Sequence, residues 1–267
     1  MTRIGTAARP TYAQLLQRLT AAQKSAQGAP AYSRYVNRPL GRRLAAVAFL
    51  AGLTPNQVTA LSALSTGAGI AATALLDPAW WAGLLVAAAL VLGYALDAAD
   101  GQLARLRGGG SKAGEWLDHV VDAAKTSALH LAVLVAAFRW NGERGSAWLL
   151  VPLAFAVVAS TWFFTIILND HLRRLAGTRD VQAVVAAGEA RQHSALRSLA
   201  STPTDYGLLC ALFVLLGWPA AFQWAYGLVF AGFALITAAS MVAWYRQAGR
   251  LDAVPASVAV RREEVAA

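Results

Sequence analysis

Four aspartates carry the clearest chemistry in this sequence. Asp97 and Asp100 are three residues apart, and Asp118 and Asp122 four, so each pair lies on one face of a helix. The chain has only fourteen acidic residues, yet these four stand in two otherwise apolar stretches, where carboxylates are costly and functional by default. A turn at Gly108-Gly109-Gly110 joins the stretches, and an antiparallel hairpin would set the pairs opposite each other. Acids so close repel, so they either stay protonated or are neutralised by cations. Hard divalent ions suit oxygen ligands, and Mg²⁺ typically sits between carboxylates and substrate phosphates. Gly101 and Gly114 clear side chains from beside the acids, and Gly114 is expected to open the second helix, where free N–H groups attract anions. Arg105, Arg107 and Lys112 offer cations to a diphosphate.

The elements that must hold these acids are membrane spans. Of 267 residues 57% are hydrophobic and 14% charged, against about 45–50% and about 25% in soluble domains. That excludes a disordered chain, and a lone cysteine, Cys210, excludes a disulfide scaffold. The formal charge of +9 on so apolar a chain points to anionic lipid and not to nucleic acid. No secretory signal pattern is read in the first thirty residues. Six stretches approach the roughly 20 residues that span a bilayer: about 55–76, 80–105, 114–140, 147–168, 206–218 and 221–245. Residues 206–218 are the shortest, cut off at Gly217-Trp218-Pro219. Twenty of the twenty-three Lys and Arg fall on one side of this layout, Arg139 and Arg144 on the other, and Lys125 within a span. The positive-inside rule then puts both termini in the cytoplasm of a multi-pass plasma-membrane protein. Residues 35–53, basic then apolar, read as an amphipathic helix in the cytoplasmic interface. The expected fold class is therefore all-α and polytopic: six transmembrane helices with an N-terminal interfacial helix over 31–250. A mobile segment (1–30, with one amphipathic turn around Tyr12, Leu15, Leu16 and Leu19) precedes it, and a cytoplasmic tail (251–267) follows.

The run Asp97-Ala-Ala-Asp100-Gly101-Gln-Leu-Ala104-Arg105, eight residues, Gly114, three residues, Asp118, three residues, Asp122 resembles the signature of the CDP-alcohol phosphotransferase family at all its defined positions. Thr54-Pro55-Asn56-Gln57-Val58-Thr59 is similar to the start of that family's first span. The resemblance implies that Asp97, Asp100 and Asp118 bind a pair of Mg²⁺ or Mn²⁺ ions, and that Asp122 helps hold a metal and is the catalytic base. It implies that Asn56 and Thr59 contact the nucleotide or a metal-bound phosphate, that Gly101, Ala104 and Gly114 line the cytidine site, and that Arg105 steadies the site or the diphosphate. It further implies a homodimeric transferase of substituted phosphate groups in phospholipid synthesis. CDP-diacylglycerol is the favoured donor, an alcohol accepts, and CMP leaves; a CDP-linked small alcohol with a lipid acceptor is the alternative.

Members that accept an inositol phosphate carry basic residues near the inner end of the fourth span and beside the fifth. Here Asn169, Asp170, Asp205 and Tyr206 stand in those stretches, hydrogen-bonding groups that favour a neutral polyol or other uncharged acceptor, while Arg173, Arg174 and Arg197 offer charge from the loop. An ion or proton transporter built on the acids is the rival from another class; it requires polar residues through the full depth of the bundle, and the outer halves of the spans are almost wholly apolar. Lys125 is placed to pair with an acid or to face a phosphate, and His130 reads as a satisfied membrane histidine. His119, about 100° round the helix from Asp118, reads as lining or packing, with a place behind the metal-binding acids as its alternative. Ser62, Ser65, Gly67 and Gly69 supply the small residues of a close helix contact.

Overall fold

Thr54 starts the first long helix through a reciprocal cap. Its hydroxyl accepts the Gln57 N–H at 3.3 Å while Gln57 Oε1 accepts the Thr54 N–H at 2.8 Å, with Pro55 in the first turn. The computed structural model describes residues 10–21, 30–140, 145–175 and 202–251, and these described residues form eight α-helices. They are α1 (Tyr12–Ala21), α2 (Arg38–Leu50), α3 (Pro55–Leu75), α4 (Trp80–Leu106), α5 (Lys112–Trp140), α6 (Leu150–Leu175), α7 (Tyr206–Leu212) and α8 (Pro219–Leu251). A π-helical turn, Ser33–Asn37, leads into α2. Among the described residues there is no strand. The protein is an all-α polytopic membrane protein: α3, α4, α5, α6 with its preceding 3₁₀ turn, and α8 are long and apolar enough to cross a bilayer.

The expected fifth span differs. The seven residues of α7 pass into a five-residue 3₁₀ stretch, Phe213–Gly217. Together they reach about 20 Å, shorter than a core about 30 Å thick. They still run from the acid end, where Tyr206 lines a cavity with Asp97, to Trp80 at the opposite end of α4, so the chain changes sides there. Packing explains the break: a Cβ on Gly217 would lie 2.5 Å from the Trp80 backbone nitrogen, so the chain closes onto the start of α4 before Pro219 opens α8.

Small residues seat α3 on α4. Ser62 donates to the Gly93 carbonyl and Ser65 to the Ala89 carbonyl, both at 2.8 Å, and any side chain at Gly93 would collide with Thr66. α2 lies against the acidic half of α4, where Gly41 leaves room for Ala98 (a Cβ would lie 2.8 Å from that side chain) and Gln102 donates to the Arg38 carbonyl at 3.3 Å. These contacts fix the helix that carries Asp97 and Asp100.

Where one amphipathic turn in a mobile segment was expected, α1 is a docked helix. Leu15 and Leu19 are fully buried among Ala45, Ala46 and Ala48 of α2, Val58 of α3 and Leu103 of α4, and Arg42 donates to Thr20 at 2.8 Å. The rest of 1–30 apart from Pro10, Thr11 and Pro30, the connection 176–201 and the tail 252–267 lie outside the described residues. The main core, Val86, Leu90, Leu129, Val133, Phe155, Phe213, Phe222 and Tyr226, sits where α4, α5, α6, α7 and α8 meet. Outward residues are apolar, with Leu228 75% and Leu235 73% exposed on α8, as a lipid-facing surface requires.

Candidate active site

The glycine turn works as the sequence demands. Gly108 (φ +93°) and Gly109 (φ +132°) take left-handed conformations with open space around them, so α4 and α5 run antiparallel and their acids face a common region. Ser111 caps α5, its hydroxyl accepting the Gly114 N–H at 3.0 Å. That corrects one expectation: α5 opens at Lys112, and the Gly114 amide is already satisfied. Gly114 serves through its missing side chain, because a Cβ there would lie 2.9 Å from Asn56 Oδ1. Asn56, from the first turn of α3, is thereby pressed against the start of α5.

The four carboxylates act on one another. Asp97 interacts electrostatically with Asp100, Asp118 and Asp122, and Asp118 with Asp100 and Asp122. Each has a specific partner or neighbour. Asp100 is buried and accepts a 2.5 Å hydrogen bond from Thr59. Lys125 Nζ bridges the two helices, 2.6 Å from Asp97 and 2.5 Å from Asp122. Asp118 and Asp122 are joined by His119, one ligand atom of each lying within 4.8 Å of the others. His119 therefore stands with the acids, the alternative its place beside Asp118 had left open; its spacing of three from Asp122 makes those two neighbours on the helix surface.

These residues fit a divalent ion. The donors are hard carboxylate oxygens with one imidazole, and an ammonium placed between two of the carboxylates marks where the site requires positive charge. Asp97, Asp100, Asp118 and Asp122 are the groups that would hold Mg²⁺ or Mn²⁺, with Thr59 orienting Asp100 from behind.

Two cavities share this centre, and Asp97 and Tyr94 line both. One, about 270 Å³, is polar: Ser33, Asn37, Arg38, Asp100, Gly101, Gln102, Arg105 and Asp118 line it. Gly101 widens it, a Cβ there meeting only Arg105 at 3.7 Å. The other, about 210 Å³ and mostly apolar, is lined by Phe155, Ala159, Trp162, Phe163, Leu209 and Phe233 together with Asp122, Lys125, Thr126, His130, Thr204, Asp205 and Tyr206.

The structure does not bring every expected residue here. Ala104 and Gly114 are not among the residues lining either cavity. Nor are Asn169 and Asp170; Asp170 pairs instead with Arg174 at 2.6 Å, and Arg174 with Glu115 at 3.1 Å, in an exposed cluster. Asp205 reaches the cavity wall with both oxygens engaged. Oδ1 accepts the Gly207 N–H at 3.1 Å, capping α7, and Oδ2 accepts the Tyr32 and Ser33 N–H groups at 2.8 and 3.4 Å. Tyr32 packs flat on Gly207, where any side chain would collide, and Tyr94 lies between Tyr32 and Tyr206 with ring centroids 6.4 and 5.1 Å away. Burial, then the nearby Cys210 and Asp205, raises the Tyr32 phenol above its usual range, so it stays neutral. Tyr32 and Tyr94 were missed because no charge or motif marks them; their role comes from packing over 173 residues of separation between Tyr32 and Asp205.

A search of curated proteins finds no match to this chain. The family comparison does: residues 52–244, well over half of the chain, match CDP-alcohol phosphatidyltransferase. That match contains α3, the paired acids of α4 and α5, and the apolar cavity's walls on α6, α7 and α8. The chain belongs to the CDP-alcohol phosphatidyltransferase family.

Proposed function

We propose that the protein transfers a substituted phosphate from a CDP-linked donor to an alcohol, releasing CMP, in phospholipid synthesis. The observation that carries this reading is the meeting of all four motif aspartates between a polar and an apolar cavity at the α4–α5 hairpin. The polar cavity, with Arg38, Arg105 and the side-chain-free Gly101, suits the nucleotide and its diphosphate. A pair of Mg²⁺ or Mn²⁺ ions on Asp97, Asp100, Asp118 and Asp122 would neutralise the diphosphate, polarise the phosphorus and stabilise departing CMP. Thr59 holds Asp100 in register, and Asn56 lies close enough to Gly114 to meet a phosphate at the α5 start. Asp122 takes the acceptor's proton as its oxygen attacks phosphorus. On this reading the acidic end of the bundle faces the cytoplasm of the plasma membrane, the termini with it, and two copies assemble.

CDP-diacylglycerol remains the proposed donor, since a site within the bilayer lets acyl chains stay in lipid while the head group reaches the acids. The apolar cavity beside Asp122 favours a second arrangement, in which a small alcohol rides on CDP and a lipid accepts. The test is CMP release by the purified protein given a CDP-linked donor, an alcohol and Mg²⁺. Release that stops with EDTA supports the proposal, and none with any donor rejects it.

A further inference from the structure

We propose that Tyr94, stacked between Tyr32 and Tyr206 and clipped in place by Asp205, is a barrier between the two cavities that keeps water from replacing the alcohol in the transfer. The inference rests on the transfer reading above and adds the residues that decide between transfer and hydrolysis. Among the described residues, Tyr94 and Asp97 are the two that line both cavities. Asp97 pairs with Lys125 at 2.6 Å and, on the transfer reading, holds a metal. Tyr94, three residues earlier on α4, brings no charge; it sets a ring across the boundary.

That ring is held from both sides. Tyr32 stacks on it with centroids 6.4 Å apart and planes 20° from parallel, and Tyr206 meets it edge-on at 5.1 Å and 74°. The Tyr94 hydroxyl shares a hydrogen bond with Ser33. Ser33 lines the polar cavity alone and Tyr206 the apolar one alone, so the stack stands between the two spaces. One carboxylate fixes both outer rings. Asp205 Oδ2 accepts the Tyr32 and Ser33 N–H groups, and Oδ1 accepts the Gly207 N–H, capping the helix that Tyr206 begins. The Tyr32 ring in turn presses on Gly207, where any Cβ would collide with it. Tyr32 and Ser33 precede residues 52–244, which match the family, so the barrier is completed from outside the matched region.

The chemistry of displacement gives such a barrier its use. Attacking and leaving oxygens lie roughly in line across phosphorus. With CMP in the polar cavity, the attacking position is on the other side, where Asp122 lines the apolar cavity and not the polar one. Ser33, Asn37, Arg38 and Gln102 make the polar cavity a place for water, but water on the leaving-group side is not in line to attack. It becomes a nucleophile only by crossing to Asp122. Excluding water from a reacting centre suppresses such side reactions, and a phenol ring fills more than the roughly 30 Å³ that one water occupies. The suppressed step balances as follows: a water oxygen forms the new P–O bond, one of its protons passes to the Asp122 carboxylate, and the P–O bond to CMP breaks with its electron pair leaving on CMP. The other product is a phosphomonoester, where transfer gives a diester.

The test uses the full-length protein in lipid nanodiscs with Mg²⁺ in ¹⁸O-labelled water. CDP-diacylglycerol is offered alone and with glycerol, inositol or glycerol 3-phosphate, and CDP-ethanolamine alone and with dioleoylglycerol. Wild type should release CMP at least tenfold more slowly without an alcohol than with its best one. Tyr94→Ala should raise alcohol-free release at least tenfold, with ¹⁸O in the phosphomonoester and not in CMP, while CDP affinity, which also reports folding, stays within threefold. Tyr32→Ala provides the same readout should Tyr94→Ala not fold. Asp205→Asn, left with one acceptor oxygen where two are used, should move the same way, and Tyr94→Phe, which keeps the ring, should stay within threefold of wild type. Alcohol-free release that is unchanged or lower in Tyr94→Ala and Tyr32→Ala, or label found in CMP, overturns the inference and leaves the transfer reading standing. No CMP from wild type with any pairing rejects that reading and the inference with it.

Discussion

Lys125 Nζ lies 2.6 Å from Asp97 Oδ1, closing a contact between helices across 28 residues of sequence. The same ammonium meets Asp122 at 2.5 Å, so one internal cation holds one acid from each side of the hairpin. Removing it leaves two poorly solvated acids facing each other.

Lys125→Met should therefore destabilise the metal-free protein by roughly 3 kcal/mol, the scale for breaking one partner of a buried pair. Added Mg²⁺ should raise the variant's Tm more than the wild type's, since the ion replaces the missing charge. Thermal unfolding in detergent, with and without Mg²⁺, reads both effects. Equal stability without metal would mean that the bridge carries no weight.

Thr59→Val removes the hydroxyl that donates to buried Asp100 while keeping the side chain's shape. Partners that orient metal ligands from behind typically affect affinity by about 10–100-fold. The expected outcome is metal affinity lowered by about that range with helical content unchanged, and Thr59→Ser close to wild type. Mn²⁺ titration followed by electron paramagnetic resonance measures it; unchanged affinity in the valine variant would remove Thr59 from the site.

Asp122→Asn separates proton acceptance from nucleotide binding. CMP release should fall by about 10²–10⁴-fold, the scale of a lost general base, while CDP still binds in the polar cavity. Turnover within threefold of wild type would show that another group takes the proton.

Glycine replacements test the seam that positions Asp100. Gly93→Ala drives a methyl group into Thr66, and overpacking of this kind costs about 1–3 kcal/mol. Gly67→Ala, with nothing within 4 Å, should be neutral or stabilising by up to about 1 kcal/mol through helix propensity. The two Tm shifts should differ in sign or at least clearly in size; equal shifts would contradict the close α3–α4 contact.

Much of this was legible in sequence because local chemistry dictated it. Thr54-Pro55 with Gln57 writes a cap, the glycines after Arg107 write a turn, and the aspartate spacing writes a face. Lys125 was readable as an acid's partner from its place near Asp122, though not its bridge to Asp97, which depends on how α4 meets α5. The docking of α1 escaped because a ten-residue amphipathic helix does not name its partner, and what buries Leu15 and Leu19 lies in α2, α3 and α4. Asp205 was read as an acceptor contact because it is polar and beside a span; its oxygens go to backbone N–H groups of Tyr32, Ser33 and Gly207, partners that only the folded chain supplies. Asn169 and Asp170 shared that reading, but they stand beyond the cavity on α6, where Arg174 offers Asp170 a closer charge.

Calorimetric titration of CDP into the purified protein, with Mg²⁺ and then with EDTA, asks most directly whether the facing acids grip a diphosphate through divalent ions. The account predicts saturable binding with Mg²⁺ that disappears with EDTA and in Asp97→Asn and Asp118→Asn. CDP binding of equal strength in EDTA, or in both variants, would contradict it.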